Sequence, residues 1–242
     1  MKQEKKAADM SARELARYID QSVLKPEFTQ DDIRRYIQDG IDVGCATVCI
    51  NPASLPIAQE MCSGTDTRIC VVCDFPFGLS TTESKVLQAS EYCSKYDVFE
   101  LDIVSNFGWI RSGLWDKVRD DIAAVCNVCH EYGVAGKTIF ETDALTLPQI
   151  LQATDVAIEA GTDFVKTSTG FYTGSVNYSP DGKCVGASTE LIEAIIKHAN
   201  GRCKVKGSGA IRTREHFLSL IDMGIDRMGI GYKSLHTVLG IN

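Results

Sequence analysis

Two lysines set the chemical question. Lys166 stands in Phe164-Val-Lys-Thr-Ser-Thr-Gly170, at the end of a short apolar run and before a stretch of small polar residues. Lys206 stands in Lys204-Val-Lys-Gly-Ser-Gly-Ala-Ile-Arg-Thr213, at the end of the next such run. Desolvation disfavours an ammonium, so a lysine in this setting loses its proton more readily and becomes a nucleophile for carbonyl carbon. The product is a Schiff base. If the two runs are neighbouring strands, about 4.8 Å apart, the lysines sit side by side and each cation lowers the other's pKa. Spacing alone leaves a bland alternative open: two unrelated surface lysines that finish strands.

Acids collect at matching positions. The ends of the other apolar runs carry Asp20, Cys49 to Asn51, Asp74, Asp102 and Glu141. Singly, each reads as a solvated loop charge. At the same end as Lys166 and Lys206, they read together as the rim of a site.

Ten cysteines raise the question of metal. Cys70-Val-Val-Cys73 lies in a β-branched run, where positions i and i+3 point to opposite faces and cannot chelate one ion. Cys126-Asn-Val-Cys129 lies in a helical pattern, where i and i+3 share a face, but the gap between the two pairs is far longer than zinc modules use. The reading is reduced, buried thiols in a reducing compartment, with no metal site.

The elements that must position these residues follow from hydrophobic period. Apolar strand-like runs fall near Tyr18–Ile19, Cys45–Ile50, Arg68–Cys73, Val98–Val104, Gly136–Phe140, Phe164–Thr167, Cys203–Lys206 and Arg227–Gly229. Between them lie amphipathic segments at Gln30–Asp39, Glu83–Lys95, Leu114–Tyr132, Leu147–Ala160, Thr189–Ala199 and Arg214–Met223. Thr29-Gln-Asp-Asp32 reads as a capping box that starts the first of these helices. Eight βα units in 242 residues are the arithmetic of an α/β protein, a single-domain (β/α)8 TIM barrel. A doubly wound open sheet is the runner-up, and no GxGxxG follows the first strand. No linker divides the chain, so residues 1–242 read as one domain, with 1–12 a flexible or helical extension. In such a barrel chemistry gathers at the carboxyl ends of the strands.

Composition narrows the partners. A net charge of −7 argues against a general nucleic-acid or anionic-membrane surface. No apolar run approaches the roughly 18 residues of a membrane span. Met1 to Lys6 is charged with no apolar stretch behind it, so no secretory signal is read and a cytoplasmic protein is expected.

Four segments together resemble the deoxyribose-phosphate aldolase family: Val165-Lys-Thr-Ser-Thr-Gly-Phe171, Lys206-Gly-Ser-Gly-Ala-Ile-Arg-Thr213, Glu100-Leu-Asp-Ile-Val-Ser-Asn106 and Asp20-Gln-Ser-Val-Leu-Lys-Pro26. The likeness runs from about Leu15 to Gly231 and includes Val48-Cys-Ile-Asn-Pro52 and Phe75-Pro-Phe-Gly78. It implies a (β/α)8 barrel and a class I aldolase needing neither metal nor cofactor. The implied reaction cleaves 2-deoxyribose 5-phosphate to glyceraldehyde 3-phosphate and acetaldehyde. On that resemblance Lys166 forms the Schiff base, Lys206 perturbs its pKa, and Asp102 moves protons through a bound water. Asp20, Ser22, Cys49, Lys137 and Thr167 are the implied substrate contacts. For phosphate, loops after strands 6, 7 and 8 offer Gly170, Gly209, Ala210, Arg212, Gly229 and Gly231. A small-molecule sugar phosphate is the expected partner, with neither nucleic acid nor membrane, and the reading allows a homodimer.

The chain also departs from its family. Gln21 stands where His is usual, and Gly209-Ala210 where the family has Gly-Gly. Gly231-Tyr232-Lys233 replaces serine hydroxyls after strand 8. Lys204, by strand parity, points the same way as Lys206. Tyr178-Ser-Pro-Asp-Gly-Lys-Cys-Val-Gly186 reads as an insertion within a 173–187 loop. These changes bear on the substrate more than on the reaction. Two further readings are a Schiff-base aldolase for another sugar phosphate and a non-catalytic sugar-phosphate-binding barrel.

Overall fold

Period-two alternation sorts the strand residues into two environments, and that sorting builds a closed barrel. The computed structural model describes residues 5–172, 174 and 185–241. Its strands are β1 (Ile19–Val23), β2 (Thr47–Ile50), β3 (Arg68–Cys73), β4 (Val98–Val104), β5 (Ala135–Ile139), β6 (Phe164–Lys166), β7 (Lys204–Ser208) and β8 (Arg227–Gly231). Each runs parallel to the next, and β8 pairs with β1 to close the sheet. The helices are α1 (Ala12–Ala16), α2 (Gln30–Val43), α3 (Leu55–Cys62), α4 (Thr82–Lys95), α5 (Phe107–Arg111), α6 (Trp115–Glu131), α7 (Leu147–Glu159), α8 (Thr189–Ala199), α9 (Arg214–Asp222) and α10 (Leu235–Leu239). The protein is a (β/α)8 TIM barrel, as the recurring runs predict.

In β3, Ile69, Val71 and Cys73 join the large core beneath the helices, while Cys70 and Val72 belong to a small cluster with Leu24 and Cys49. In β4, Leu101 and Ile103 take the outer face, which leaves Glu100 and Asp102 to the barrel interior. Cys70 and Cys73 therefore part company as their spacing predicts. Thr29 and Asp32 do cap α2, the Asp32 amide donating to Thr29 Oγ1 and the Thr29 amide to Asp32 Oδ2. The nine described cysteines are free thiols.

The differences from expectation have physical causes. β1 extends to Val23 instead of stopping at Ile19, because its Asp-Gln-Ser centre is polar and carries no hydropathy signal. For the same reason β7 continues through Gly207-Ser208, while β8 reaches Gly231 because Ile230, set between two glycines, is a single apolar residue rather than a run. Helix α3 goes unread in the sequence; it is short and starts at Leu55-Pro56 behind a turn at Pro52–Ser54. Part of the expected amino-terminal extension is packed: Ala7 is buried and its amide donates to Asp222 Oδ1 at 2.8 Å. The 178–186 insertion lies outside the described residues apart from its last two. Among the described residues no helix is long and apolar enough to cross a membrane.

Candidate active site

Register does the assembling. Lys166 and Lys206 are direct partners across β6 and β7, and Asp102 is the partner of Lys137 across β4 and β5. All four side chains point into the barrel. Asp102 Oδ2 accepts from Lys166 Nζ at 2.6 Å and from Lys206 Nζ at 2.7 Å. Lys137 Nζ lies 3.4 Å from the other Asp102 oxygen and 2.7 Å from Asp20 Oδ2. Asp20 also takes Lys206, at 2.5 Å, and Arg227. Below it Glu100 accepts both arms of Arg227, at 3.0 and 3.1 Å, and pairs with Lys137.

Four cationic side chains thus face three carboxylates in an interior from which water is nearly excluded. An uncompensated buried charge is expensive, so this network carries one cation too many for a settled structural role. Burial alone would raise the Asp102 carboxyl, but Lys166, Lys206 and Lys137 outweigh it and hold the group well below the usual carboxylate range. Asp20 is held low in the same way, against burial, by Arg227, Lys137 and Lys206. For Lys206 the expectation that adjacent cations lower each other is overridden: burial opposes its charge, yet Asp102 and Asp20 hold the ammonium above the ordinary lysine value. Lys137 is raised likewise, chiefly by Asp20 against burial. These two amines keep their protons. Lys166 differs in geometry: it ends β6 and, among the described residues, pairs with one carboxylate, Asp102.

Cys49, expected at the substrate, comes to Asp102 together with Cys70, which the sequence reads as a structural thiol. Cys49 and Cys70 are partners across β2 and β3, with Sγ atoms 3.7 and 3.3 Å from the two Asp102 oxygens. Burial, then Cys49 and Asp102, push the Cys70 thiol well above its usual value. The three ligand atoms lie within 4.8 Å of one another. A divalent ion there would have to displace the ammonium groups that already occupy Asp102.

Above the ion network opens a cavity of about 300 Å³. Ser22 lines it from β1, Thr169 to Phe171 from the β6 loop, Ser208 to Arg212 from β7, and Gly229 and Gly231 to Ser234 from β8. All six residues expected at phosphate, Gly170, Gly209, Ala210, Arg212, Gly229 and Gly231, are among its walls. A Cβ at Gly229 would meet Ser208 Oγ, so a side chain there would force that hydroxyl to turn away. Ser234 lines the cavity after β8, a serine that the sequence reading of Gly231-Tyr232-Lys233 stopped short of. Lys25, Thr169, Phe171, Ser208 and Ser234 were not anticipated in these walls.

The other expected residues divide. Asp20 and Lys137 lie within the ion network rather than at the cavity. Thr167 spends its hydroxyl on Ser208, donating to the carbonyl at 2.8 Å and accepting from the amide at 2.9 Å, which ties β6 to β7. Asp74 turns to Ser80, and Glu141 to the Thr169 amide and hydroxyl, so neither joins the lysines. Burial raises the Glu141 carboxyl above its usual value. Lys204 points inward by parity but sits at the opposite end of the barrel, exposed, with Nζ 5.1 Å from the Phe164 ring centre. Glu100 and Arg227 were missed; Glu100, two residues before Asp102, shares its face by period alone.

Residues 15–237 match the DeoC/LacD family of aldolases. The chain is 38% identical over 222 residues to the deoxyribose-phosphate aldolase of Thermococcus kodakarensis, covering 91% of this chain and 94% of that one. It is 38% identical over 220 residues to that of Mannheimia succiniciproducens, with 91% and 92% covered. Among solved structures it resembles the aldolase QR15, with TM-score 0.82, 32% identity and coverage of 93% and 94%. It also resembles a deoxyribose phosphate aldolase of Aeropyrum pernix described as tetrameric, with TM-score 0.81, 25% identity and coverage of 95% and 91%.

Proposed function

This chain belongs to the DeoC/LacD family of aldolases, and from that premise we propose that it reversibly cleaves 2-deoxyribose 5-phosphate to glyceraldehyde 3-phosphate and acetaldehyde through a Schiff base on Lys166. The observation that carries the proposal is the shared Asp102 oxygen. One carboxylate holds the nucleophile and a second lysine, whose ammonium form it favours, at 2.6 and 2.7 Å, beneath a cavity walled by Arg212 and Lys233.

The substrate enters with its phosphate among the β6, β7 and β8 loops, where Arg212 and Lys233 supply charge and Ser208 and Ser234 supply hydroxyls. That leaves its aldehyde end toward Lys166. Lys166 Nζ adds to the carbonyl carbon, and loss of water gives a protonated imine. Asp102, kept ionised by its lysines, is the base for this stage and, through a water, for the hydroxyl at the cleaved bond. As that hydroxyl loses its proton, the carbon–carbon bond breaks and its electrons pass into the imine, which becomes an enamine. Glyceraldehyde 3-phosphate leaves. Asp102 returns the proton to the enamine carbon, and water releases acetaldehyde from Lys166. The protonated imine is itself the electron sink, so no step calls for a metal.

Tyr232 favours a variant of this reading, the same chemistry on a related sugar phosphate. It lines the cavity and stacks in a cluster with Phe28 and Tyr36, ring centres 5.1 and 4.4 Å away.

Borohydride reduction tests the proposal. With acetaldehyde or deoxyribose 5-phosphate, one reduced adduct should appear by intact mass and map to Lys166, and Lys166→Leu should carry none. Labelling mainly at Lys206 or Lys137 would overturn the assignment.

A further inference from the structure

We propose that Lys25 is a specificity-determining residue, a third cation for the substrate's phosphate that selects phosphorylated over unphosphorylated sugar. The inference rests on the aldolase reading above.

Lys25 stands two residues past the end of β1. Leu24 before it is buried in the cluster at the barrel mouth, and Pro26 after it confines Lys25 to extended backbone. The side chain therefore leaves from a fixed point. Its Nζ comes to 4.7 Å from the centre of the Phe171 ring, in the wall of the cavity. Phe171 is itself held in place. Its ring meets Phe75 edge-on at 5.3 Å and 82°, and its amide donates to Thr169 Oγ1 at 3.0 Å. Thr169 is in turn anchored on Glu141. An aromatic face attracts an ammonium without neutralising it, so it can present a cation to a ligand that a carboxylate would quench.

The charge pattern points the same way. Among the described residues, none of Lys25, Arg212 and Lys233 makes an ion pair, although the chain carries a net charge of −7. The three come from different loops, after β1, β7 and β8, and converge on one cavity. Because β8 pairs with β1, Lys25 closes the ring from the side opposite Arg212. A singly charged or neutral group needs no such surround; a phosphate dianion does.

The experiment compares kcat/KM for deoxyribose 5-phosphate and deoxyribose, and measures the inhibition constant of inorganic phosphate, in the wild type, Lys25→Met and Lys25→Arg. In Lys25→Met the ratio between the two sugars should fall at least tenfold, through KM, and phosphate should inhibit correspondingly less. Lys25→Arg should restore most of both. An unchanged ratio and an unchanged phosphate constant in Lys25→Met would overturn the inference while leaving the aldolase reading intact. If the wild type cleaves neither sugar but phosphate binding still weakens in Lys25→Met, the anion site stands and the aldolase reading falls. A wild type that neither prefers the phosphorylated sugar nor binds phosphate overturns both.

Discussion

The barrel interior and the layer between β3, α4 and α6 both bury lysine completely, and the two regions are built on opposite principles. Lys85, on α4, has no exposed surface. Its Nζ donates to the Val104 carbonyl at 3.1 Å and to Asp121 Oδ2 at 2.7 Å, with Asp74 Oδ2 at 3.7 Å. Thr82 occupies the other Asp121 oxygen, and the Ser80 amide and hydroxyl hold Asp74. One ammonium therefore meets two carboxylates whose oxygens are all engaged. Inside the barrel four cations crowd three carboxylates, and one of them, Lys166, ends β6 just before the Thr169–Phe171 segment that lines the cavity. Burial alone does not make a lysine reactive: Lys85 is outnumbered by carboxylates that hold its proton, whereas in the barrel the cations outnumber the carboxylates.

Removing each lysine separates the two principles. The largest effect is expected from Lys85→Met, which strands the buried Asp121 carboxylate and leaves half-buried Asp74 to Ser80 alone, and should cost about 3–5 kcal/mol of folding stability. Urea unfolding measures it, and borohydride trapping at Lys166 should remain intact in the folded variant. A loss below about 1 kcal/mol would show that this triad is not the structural pin its geometry describes.

Lys206→Leu should do the reverse. It removes the surplus cation while Asp20 and Asp102 keep Lys137, Lys166 and Arg227, so its stability loss should be smaller than that of Lys85→Met. Activity should fall on the order of a hundredfold, the scale of a lost acid–base partner. The pH optimum should rise, because a departing cation favours the protonated form of its neighbour. Lys206→Arg, with a planar fork in place of a compact ammonium, should rescue little. The folded protein holds the Lys206 proton more tightly than the unfolded chain does. Its contribution is then complete below about pH 10.4, the unfolded lysine value, and fades only as pH climbs through the raised folded one. The stability gap between wild type and Lys206→Leu should stay constant from pH 6 to 9. A gap that closes within that range would mean Lys206 is not held charged.

This contrast also marks what the sequence could reveal. A lysine ending an apolar run before Thr-Ser-Thr-Gly is a local signal, and parity with the next run brings Lys206 beside it. Asp102 follows from the same periodicity. Lys85 gave no signal, because on an amphipathic helix it reads as a solvated residue; only the approach of Asp121 from α6 and Asp74 from β3 makes it core. Arg227 escaped because its partners, Asp20 and Glu100, are far away in sequence and meet it only when β8 closes on β1. Polar strand centres were under-read throughout, since hydropathy assumes an apolar interior and this barrel is lined with charge. Lys25 stands unremarked inside Asp20-Gln-Ser-Val-Leu-Lys-Pro26, because the Phe171 ring that receives it comes from the β6 loop, far away in sequence.

The smallest effect belongs to the cavity mouth, where charge is exposed and backbone shape matters instead. Ala210 has φ 61°, in the left-handed region, directly after Gly209 at φ 89°. An L-residue there costs roughly 1–2 kcal/mol, and glycine avoids that cost. Glycine also gives the unfolded chain more freedom, which takes back about 0.4–1 kcal/mol. Ala210→Gly should therefore raise stability by about 0.5–1 kcal/mol, read as a shift in the urea midpoint with unchanged slope. Ala210 is exposed, so its methyl group does not fill space as a Cβ on Gly229 would. KM for the phosphorylated sugar should consequently change less than about threefold, under 1 kcal/mol. A tenfold fall in KM would show the methyl group standing between the loop amides and the phosphate. In that case the departure from Gly-Gly tunes substrate affinity, and the strain at Ala210 is part of the binding site rather than an incidental cost of the loop.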